Sequence, residues 1–475
     1  MNESALPHGY EMVIGLEVHT ELATATKLFC GCPNQFGDEP NTNVCPVCLG
    51  LPGSMPVLNA RAIELAMVLG RALGCTIRPS VFARKNYFYP DMPKDYQISQ
   101  YDLPLNVDGH LELPDGTRIG IERAHVEEDT GKSTHMGGGG RIHDAGYSLV
   151  DYNRSGVPLV EIVSRPDLRS ADDAKAYASE LRAILVATGV SDAKMEEGSM
   201  RVDANVSVHK PGEPLGTRCE IKNLNSIRSL GRAIEYEARR QVDLIVSGER
   251  VVQQTRHWNE EDGRTHRLRS KEEAEDYRYF PEPDLVPIAP DEQTVADIDA
   301  ALPALPAARR AALAGASGVA LTDDRVAILV ERGLDTLVAE AVSQGVDADR
   351  ALTRAVNDLA LDGAEGIAAD HFASLITMES GGELSASQAK QVLAEMAATH
   401  RPPAEIAAEL GFEAVDTGEL EAIVDRLIAA NPDEWQRFCD GDGKVQGFFV
   451  GQVMAETKGQ ADGKVVNQLL QQKRG

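Results

Sequence analysis

The hydrophobic pattern of this chain changes once along its length, and that change limits the folds open to it. Up to about residue 290, apolar residues recur at every second position in several segments, as in 11–22 and 200–208. Such alternation predicts half-buried β-strands. Beyond the proline-rich segment 280–290, the chain is alanine-rich with helical periodicity and few strand signals. The sequence therefore predicts an α+β N-terminal part followed by an all-helical part.

The predicted strands are joined both by short turns and by helices. Segment 217–222 alternates and follows 200–208 after a Pro-Gly turn, so the two should form a hairpin. Helices are predicted at 59–73, 171–188 and 227–247, each followed directly by a glycine. Hairpins mixed with helical connections predict a mixed or largely antiparallel sheet.

Two breaks divide the chain into three predicted domains. The first break is the proline-rich segment, and the second is the His-Arg-Pro-Pro run at 400–403. The boundaries are 1–290 for the α+β domain, 291–404 for a helical domain and 405–475 for a small helical tail. A length of 475 residues suits about three domains.

Charge and hydropathy exclude some classes of protein. The net charge of −27, from 47 Lys and Arg against 74 Asp and Glu, argues against binding nucleic acid over the whole surface, so a polyanion would need local basic patches. No stretch approaches the roughly 20 apolar residues of a membrane span. The N-terminus shows no signal-peptide pattern. We therefore expect a cytoplasmic protein with no membrane partner.

Four of the seven cysteines lie close together, as two close pairs: Cys30 and Cys32, then Cys45 and Cys48. Two pairs of thiolates can bring four soft ligands to one ion, which suits tetrahedral zinc. Four such ligands leave no open position for a substrate, so the zinc would be structural. The alternative is four reduced, buried cysteines.

A second group of residues is rich in carboxylates on predicted strands. Its members are polar residues of alternating segments or of the run 127–129: Glu17, His19, Asp203, Asn205, Glu220, Lys222, Glu127, Glu128 and Asp129. Same-face residues of paired strands lie about 4.5–5.5 Å apart, so these side chains could converge. Carboxylates with one imidazole suit Mg²⁺ shared with nucleotide phosphates. The alternative is that these strand faces are simply solvated.

Aromatic and basic residues occur together in segment 84–101, and a similar mixture occurs at 256–258 and 264–269. Such mixtures can stack unpaired bases and hold phosphates, as at a tRNA 3′ end. The alternative is that the aromatic rings belong to the core and the lysines are their solvated neighbours.

Several of these segments together resemble the B subunits of the bacterial tRNA-dependent amidotransferases, the GatB/GatE family. The resemblance runs in order through the segments 14–19, 85–101, 127–135, 149–167, 194–207, 220–226 and 276–285, and continues into the tail. One departure is the glycine-rich stretch between His135 and Tyr147, which is longer than the family pattern.

The resemblance implies an enzyme, a ligase that forms carbon–nitrogen bonds with glutamine as amido donor. ATP would phosphorylate the side-chain carboxylate of Glu-tRNA(Gln) or Asp-tRNA(Asn), and ammonia would then displace the phosphate. The implied partners in a heterotrimer are the amidase, or A subunit, which makes ammonia and passes it through an internal channel, and the small C subunit. The implied plan is a cradle domain, a helical domain and a YqeY-like tail that touches the tRNA body. The opposing hypothesis is a tRNA-binding scaffold without catalysis.

The resemblance also assigns roles to individual residues. It places Mg²⁺ on Glu17, His19, Glu127, Glu128, Asp203 and Glu220, and structural zinc on Cys30, Cys32, Cys45 and Cys48. We assign catalysis to Glu17, His19, Glu128 and Lys94, and ATP binding to Glu127, Asp203, Asn205, Glu220 and Lys222. Lys85, Asp91 and Lys94 match positions near the channel and the active site.

Overall fold

The computed structural model describes residues 6–137, 145–268, 277–359, 364–412, 417–441, 443–457 and 463–474. The chain divides into two compact units, Met1–Ala307 and Ala308–Gly475. The glycine-rich stretch singled out by its length falls largely on residues 138–144, outside the described part.

The first unit is built on one large sheet. Its strands are β1 (Glu11–Glu21), β2 (Thr76–Ile77), β3 (Ala83–Asn86), β4 (Tyr96–Ser99), β5 (Asn106–Glu112), β6 (Arg118–Glu128), β7 (Lys132–Met136), β8 (Tyr147–Asp151), β9 (Pro158–Ser164), β10 (Met200–His209), β11 (Cys219–Leu224), β12 (Gln254–Asn259), β13 (Arg264–Arg267) and β14 (Phe280–Pro281). Within the described residues, twelve strands form one sheet in the order β13-β12-β11-β10-β1-β9-β6-β4-β3-β14, with β5 pairing β6 and β2 pairing β5. β7 and β8 form a separate pair. β11 and β12 run parallel and the other named pairings are antiparallel, so the predicted mixed sheet is confirmed.

Three helices cover one face of this sheet: α1 (Ala60–Ala72), α2 (Ala171–Ala187) and α3 (Ile227–Val246). All three predicted helices are confirmed. Ser170 caps α2 by accepting a hydrogen bond from the backbone of Asp173. Gly248 follows α3 with φ of +86°, a left-handed conformation that favours glycine.

The core of the first unit lies between these helices and the sheet, because β1 sends Leu16 and Val18 towards the helices. Both side chains are fully buried. Side chains at alternate positions, including Glu17 and His19, must point to the other face. In the described part of the chain, these three helices lie on one face, and polar side chains occupy the opposite face, which we call the open face.

Helix α4 (Glu292–Ala301) packs on the first unit, although it lies beyond the boundary expected at 290. Its Ile298 joins the core of that unit, and its Asp299 accepts hydrogen bonds from Arg71 of α1 at 2.6 and 3.0 Å. The compact unit therefore continues to Ala307.

The second unit is all-helical in its described part, as predicted. Its helices are α5 (Pro306–Ser317), α6 (Asp324–Glu331), α7 (Asp335–Ser343), α8 (Ala348–Asp358), α9 (Ala369–Ser380), α10 (Ala386–Thr399), α11 (Pro403–Glu409), α12 (Thr417–Ala430), α13 (Pro432–Cys439), α14 (Gly443–Glu456) and α15 (Gly463–Arg474). Two separate cores form, a middle core from Leu313 to Ala407 and a tail core from Leu420 to Leu470. Helix α11 buries Ile406 and Ala407 in the middle core, so the expected boundary at 404 falls within packed structure.

Candidate active site

The open face of the sheet carries the acidic residues that the sequence singled out on three strands. Glu17 of β1 lies opposite Asp203 of β10, and Asn205 lies opposite Glu220 of β11. The Asn205 amide donates a hydrogen bond to Glu17 at 2.9 Å. Lys222 donates to Asp203 at 2.8 Å and lies 2.9 Å from Glu220. These five residues therefore form one connected polar group.

A second group lies on the same face, where β9 stands between β1 and β6. The Nε2 atom of His19 is 3.8 Å from a carboxylate oxygen of Glu127 and 3.7 Å from one of Glu161. His125 Nε2 is 3.7 Å from Glu127 and 3.5 Å from Glu161. Ligand atoms of His19, Glu127 and Glu161 all lie within 4.8 Å of one another. We call the two groups together the carboxylate face.

Burial disfavours ionised carboxylates on the carboxylate face, and neighbouring charges change their pKa values further. Burial raises the pKa of Glu17, and the neighbouring charges of Glu161, Glu220 and Asp203 raise it further, against the hydrogen bond from Asn205. Burial also acts to raise the pKa of Glu127, but the imidazoles of His125 and His19 hold it below its usual range. A divalent cation would relieve the repulsion that raises the Glu17 pKa. One imidazole and two carboxylates at this spacing fit a hard cation such as Mg²⁺.

Glu161 and His125 were not predicted from the sequence. Glu161 is the one charged residue in the apolar strand β9, and a charge in a buried strand was the signal available. Both Nδ1 and Nε2 of His125 are buried without a hydrogen-bond partner, although Nε2 stands between two carboxylates. The signal at His125 was weaker, because a lone histidine in a strand more often belongs to the core.

Glu128 and Lys94 do not join the carboxylate face, which corrects the grouping expected from the sequence. Glu127 and Glu128 are consecutive in β6, so their side chains point to opposite faces. Glu128 accepts hydrogen bonds from Lys94 Nζ and from the backbone of Ile98, the latter at 2.9 Å. The Lys94 and Glu128 side chains are only 6% and 3% exposed, so this is a buried ion pair.

The buried ion pair lines a cavity of about 160 Å³. Phe29, Cys30, Cys48 and Gly156 line it as well, so the cavity lies between the cysteine segment and the sheet. It is thus separated from the carboxylate face by the strand that carries Glu127 and Glu128.

The four clustered cysteines meet as the sequence predicted. Their sulfur atoms lie within 4.8 Å of one another, and the Sγ atoms of Cys45 and Cys48 are 3.9 Å apart. The fully buried Lys27 anchors the segment by donating to the carbonyls of Asn43 at 2.8 Å and Tyr152 at 3.1 Å. Four sulfur donors at this spacing are compatible with tetrahedral zinc.

Tyrosine rings adjoin the carboxylate face at the β6 side. Tyr101 lies 6.2 Å from His125 between ring centroids and stacks on Tyr279 at 5.5 Å. Lys85 Nζ lies 4.7 Å from the ring of Tyr277. Tyr101 is 46% exposed, and Phe88 in the same predicted segment is 79% exposed. Tyr101 and Phe88 therefore do not belong to the core, which contradicts the core interpretation at these two positions.

The second aromatic and basic mixture is divided between the two faces of the sheet. Trp258 and Arg256 are buried towards α3, where Arg256 donates to Thr265 at 2.8 Å. His257 and His266, in contrast, lie on the open face, because His257 pairs in register with Lys222.

Comparison with known proteins gives two family matches. Residues 12–296 match the GatB/GatE catalytic domain, and residues 347–473 match the GatB domain. The chain is 49% identical to the B subunit of the aspartyl/glutamyl-tRNA(Asn/Gln) amidotransferase from Salinispora tropica, covering 98% of this chain and 97% of that protein. The B subunit of the same name from Anaeromyxobacter is also 49% identical (98% and 99% covered), and that from Carboxydothermus hydrogenoformans is 47% identical (98% of both covered). No helix in the described part is long and apolar enough to cross a membrane.

Proposed function

The chain belongs to the GatB/GatE family, and from that premise we propose that it activates the side-chain carboxylate of Glu-tRNA(Gln), Asp-tRNA(Asn) or both with ATP. Ammonia then displaces the phosphate, and the products are Gln-tRNA(Gln) and Asn-tRNA(Asn). The observation that carries this proposal is the carboxylate face, where His19, Glu127 and Glu161 offer ligand atoms within 4.8 Å of one another.

The residues of the carboxylate face suit phosphoryl transfer between two anions. His19, Glu127 and Glu161 would hold one Mg²⁺, and Glu17, Asp203 and Glu220 offer a second acidic group beside it. Mg²⁺ bound here would neutralise charge on the phosphoryl oxygens during transfer. Asn205 and Lys222 orient the acidic group through hydrogen bonds to Glu17 and Asp203. His125 of β6 lies beside Glu127 and Glu161 and would help to hold their carboxylates in place.

We propose that Lys94 and Glu128 act on the supply of ammonia rather than on ATP. Both line the cavity on the other face of β6, and Glu128 is the neighbour of the proposed metal ligand Glu127. Ammonia is small enough to enter a cavity of about 160 Å³. A buried ion pair can also exchange a proton with a small base that passes it.

The zinc proposed at the four cysteines is structural. Four thiolates fill a tetrahedral shell and leave no position for a substrate. The segment that carries them contains turns but little regular structure, so the ion would supply the stability that a core does not.

The proposed complex is a heterotrimer with the amidase (the A subunit) and the small C subunit, located in the cytoplasm where aminoacyl-tRNA is used. The tyrosines beside His125 would receive the tRNA 3′ end, because exposed rings next to a cation stack unpaired bases. The plan of a cradle, a helical domain and a YqeY-like tail is proposed, with the cradle continuing to Ala307 and the tail beginning after α11.

The competing hypothesis is a scaffold that binds tRNA without catalysis. The test is ATP hydrolysis by the assembled complex, with and without mischarged tRNA. We expect mischarged tRNA to stimulate hydrolysis, and Glu161→Gln to remove the stimulation while tRNA still binds. A complex that binds mischarged tRNA but hydrolyses no additional ATP would support the scaffold instead.

A further inference from the structure

The cavity on the other face of β6 is bounded on one side by a short segment that contains two of the four clustered cysteines. Lys94 and Glu128 line the cavity from the sheet. The opposite side is lined by six residues of one segment: Val47, Cys48, Gly50, Leu51, Ser54 and Pro56. We call residues 45–56 the cysteine wall. The candidate zinc site and the cavity thus share one piece of chain.

The cysteine wall is one layer of chain thick at Leu51. That side chain lines the cavity, yet 49% of its surface is exposed. Met55, further along the wall, is exposed as well. An ammonia molecule is about the size of a water molecule, which occupies about 30 Å³ in the liquid. A cavity of about 160 Å³ therefore has room for ammonia, and a small displacement of the wall would let ammonia pass on this side.

The cysteines attach the wall to the neighbouring chain. The backbone N–H groups of residues 49–51 donate to carbonyls of residues 45–47, so these hydrogen bonds shape the turn within the wall itself. The two cysteines of the wall join it to Cys30 and Cys32, because the four sulfur atoms lie within 4.8 Å of one another. Zinc at this position would replace a contact between sulfur atoms by four metal–sulfur bonds. The position of the wall would then depend on the metal.

Gly50 brings the wall into direct contact with the buried ion pair. Its φ of +65° lies in the left-handed region that favours glycine. A Cβ atom added to Gly50 would lie 2.6 Å from Cγ and 3.0 Å from Cα of Lys94, so a larger residue cannot fit unless one of the two moves. Lys94 in turn pairs with Glu128. The wall therefore packs on a side chain to which we assign a role in the supply of ammonia.

We propose that the cysteine wall retains ammonia in this cavity, so that zinc at the four cysteines determines how much nitrogen from glutamine reaches the activated carboxylate. The proposal rests on the role in ammonia supply proposed above for Lys94 and Glu128. Gly50 is then a positioning residue, which holds the wall against Lys94. Each glutamine hydrolysed by the amidase gives one glutamate and one ammonia. That ammonia either displaces phosphate from the activated carboxylate or escapes.

The experiment follows two nitrogen sources in one reaction. The assembled complex receives mischarged tRNA, Mg²⁺ and ATP, unlabelled glutamine and isotopically labelled ammonium, and mass spectrometry gives the labelled share of the amide product. Gly50→Ala is the variant that displaces the wall. Gly53→Ala is the matched control, because Gly53 has a φ of +84° in the same wall, whereas in the described part of the chain an added Cβ would meet nothing within 4 Å beyond the adjacent residues. Both substitutions strain the backbone, but only Gly50→Ala disturbs the contact with Lys94.

We expect Gly50→Ala to raise the labelled share of the amide severalfold and to produce more glutamate than amide, because ammonia then passes the wall in both directions. Gly53→Ala should match the wild type in both measurements. At saturating ammonium all three complexes should form amide at the same rate, because the carboxylate face is unchanged. Chelation of zinc from the wild-type complex should raise the labelled share in proportion to the zinc lost by elemental analysis, and added zinc should reverse it.

Equal labelled shares in the Gly50→Ala, Gly53→Ala and wild-type complexes would overturn the proposal. Slower amide formation from both nitrogen sources with an unchanged labelled share would also overturn it, because the effect would then come from the displaced Lys94 side chain. If Gly50→Ala does not assemble, the chelated wild-type complex decides, and zinc loss without a rise in the labelled share refutes the wall. A wild-type complex that forms no amide from glutamine refutes the proposed function itself, whereas normal amide formation without these effects refutes only the wall.

Discussion

Two consecutive glutamates of β6 provide the sharpest test of the site, because their side chains lie on opposite faces of the strand and we propose different roles for them. Glu127 lies 3.8 Å from His19 and 3.7 Å from His125 on the carboxylate face. At a distance of about 4 Å, the Coulomb energy between two unit charges is roughly 4 kcal/mol at an effective dielectric constant of about 20. In Glu127→Gln the amide oxygen remains as a neutral ligand, so we expect to lose about 2–3 kcal/mol of that contribution. Phosphorylation should therefore slow roughly 100-fold, and the Mg²⁺ requirement should rise.

Glu128→Gln should act on stability instead. The carboxylate pairs with Lys94 at side-chain exposures of 3% and 6%, so the substitution leaves a buried ammonium without its counter-charge. Breaking a buried pair costs about 3–5 kcal/mol, and the lower end applies because glutamine can still accept from Ile98 and Lys94. We expect a lower melting temperature, by several degrees. The Mg²⁺ concentration that gives half-maximal phosphorylation should not change, because the Glu128 side chain lies on the other face of β6 from the proposed metal ligands.

The assay is ADP release by the assembled complex with mischarged tRNA, measured over a series of Mg²⁺ concentrations and accompanied by a thermal melt. Glu122→Gln serves as control, since that side chain is 55% exposed on the same strand and pairs with Arg123 at 3.0 Å, away from the proposed metal ligands. If Glu128→Gln raised the Mg²⁺ requirement as much as Glu127→Gln, both carboxylates would serve one ion and the assignment to opposite faces would be wrong.

Three further predictions concern stability. Purified protein should contain one zinc per chain, and its chelation should lower the melting temperature; elemental analysis without zinc, or an unchanged melt, contradicts this. A chain that ends after residue 412 should keep its middle core. A chain that ends after residue 404 loses Ile406, and its free energy of unfolding in urea should be about 2–5 kcal/mol lower. Equal stability of the two chains would show that α11 contributes nothing. Burial and then the charge of Asp129 raise the pKa of Glu21 to about 7 from 4.5. The native state therefore holds this proton more tightly, and the resulting stability is lost as pH rises from 4.5 through 7. In urea unfolding without Mg²⁺, Glu21→Gln should therefore raise the free energy of unfolding by up to about 3 kcal/mol at about pH 8 and by little at about pH 5. An equal gain at both pH values would contradict this linkage.

The elements that the sequence predicted well are those with local signals. β1, β10 and β11 showed alternation over their own length, and α2 carried its cap and its terminal glycine in the sequence. The pairing of β9 between β1 and β6 has no such signal, because it joins residues far apart in the chain. The approach of Glu161 to His19 and Glu127 therefore needed the structure.

The error at Glu128 has a different cause. Strand parity was available in the sequence, since β6 places Glu127 and Glu128 on opposite faces whatever its partners are. Consecutive acidic residues of a strand therefore cannot form one cluster on a single face. The same rule explains why His257 and Trp258 separate, with the first on the open face and the second in the core.

The carboxylate face is better explained by its chemistry than by its contribution to folding. Glu17, Asp203, Glu220, Glu127 and Glu161 share one surface. Burial raises the pKa of Glu17, and the charges of Glu161, Glu220 and Asp203 raise it further. Lys222 offsets only part of that charge, because it pairs with two of the five acids. A surface selected for stability alone would carry alternating charges or apolar residues at these positions. A bound divalent cation removes the repulsion and stabilises the native state by mass action. Glu17, whose ionised form the metal-free fold disfavours, therefore lies beside the carboxylates that the proposed phosphoryl transfer requires.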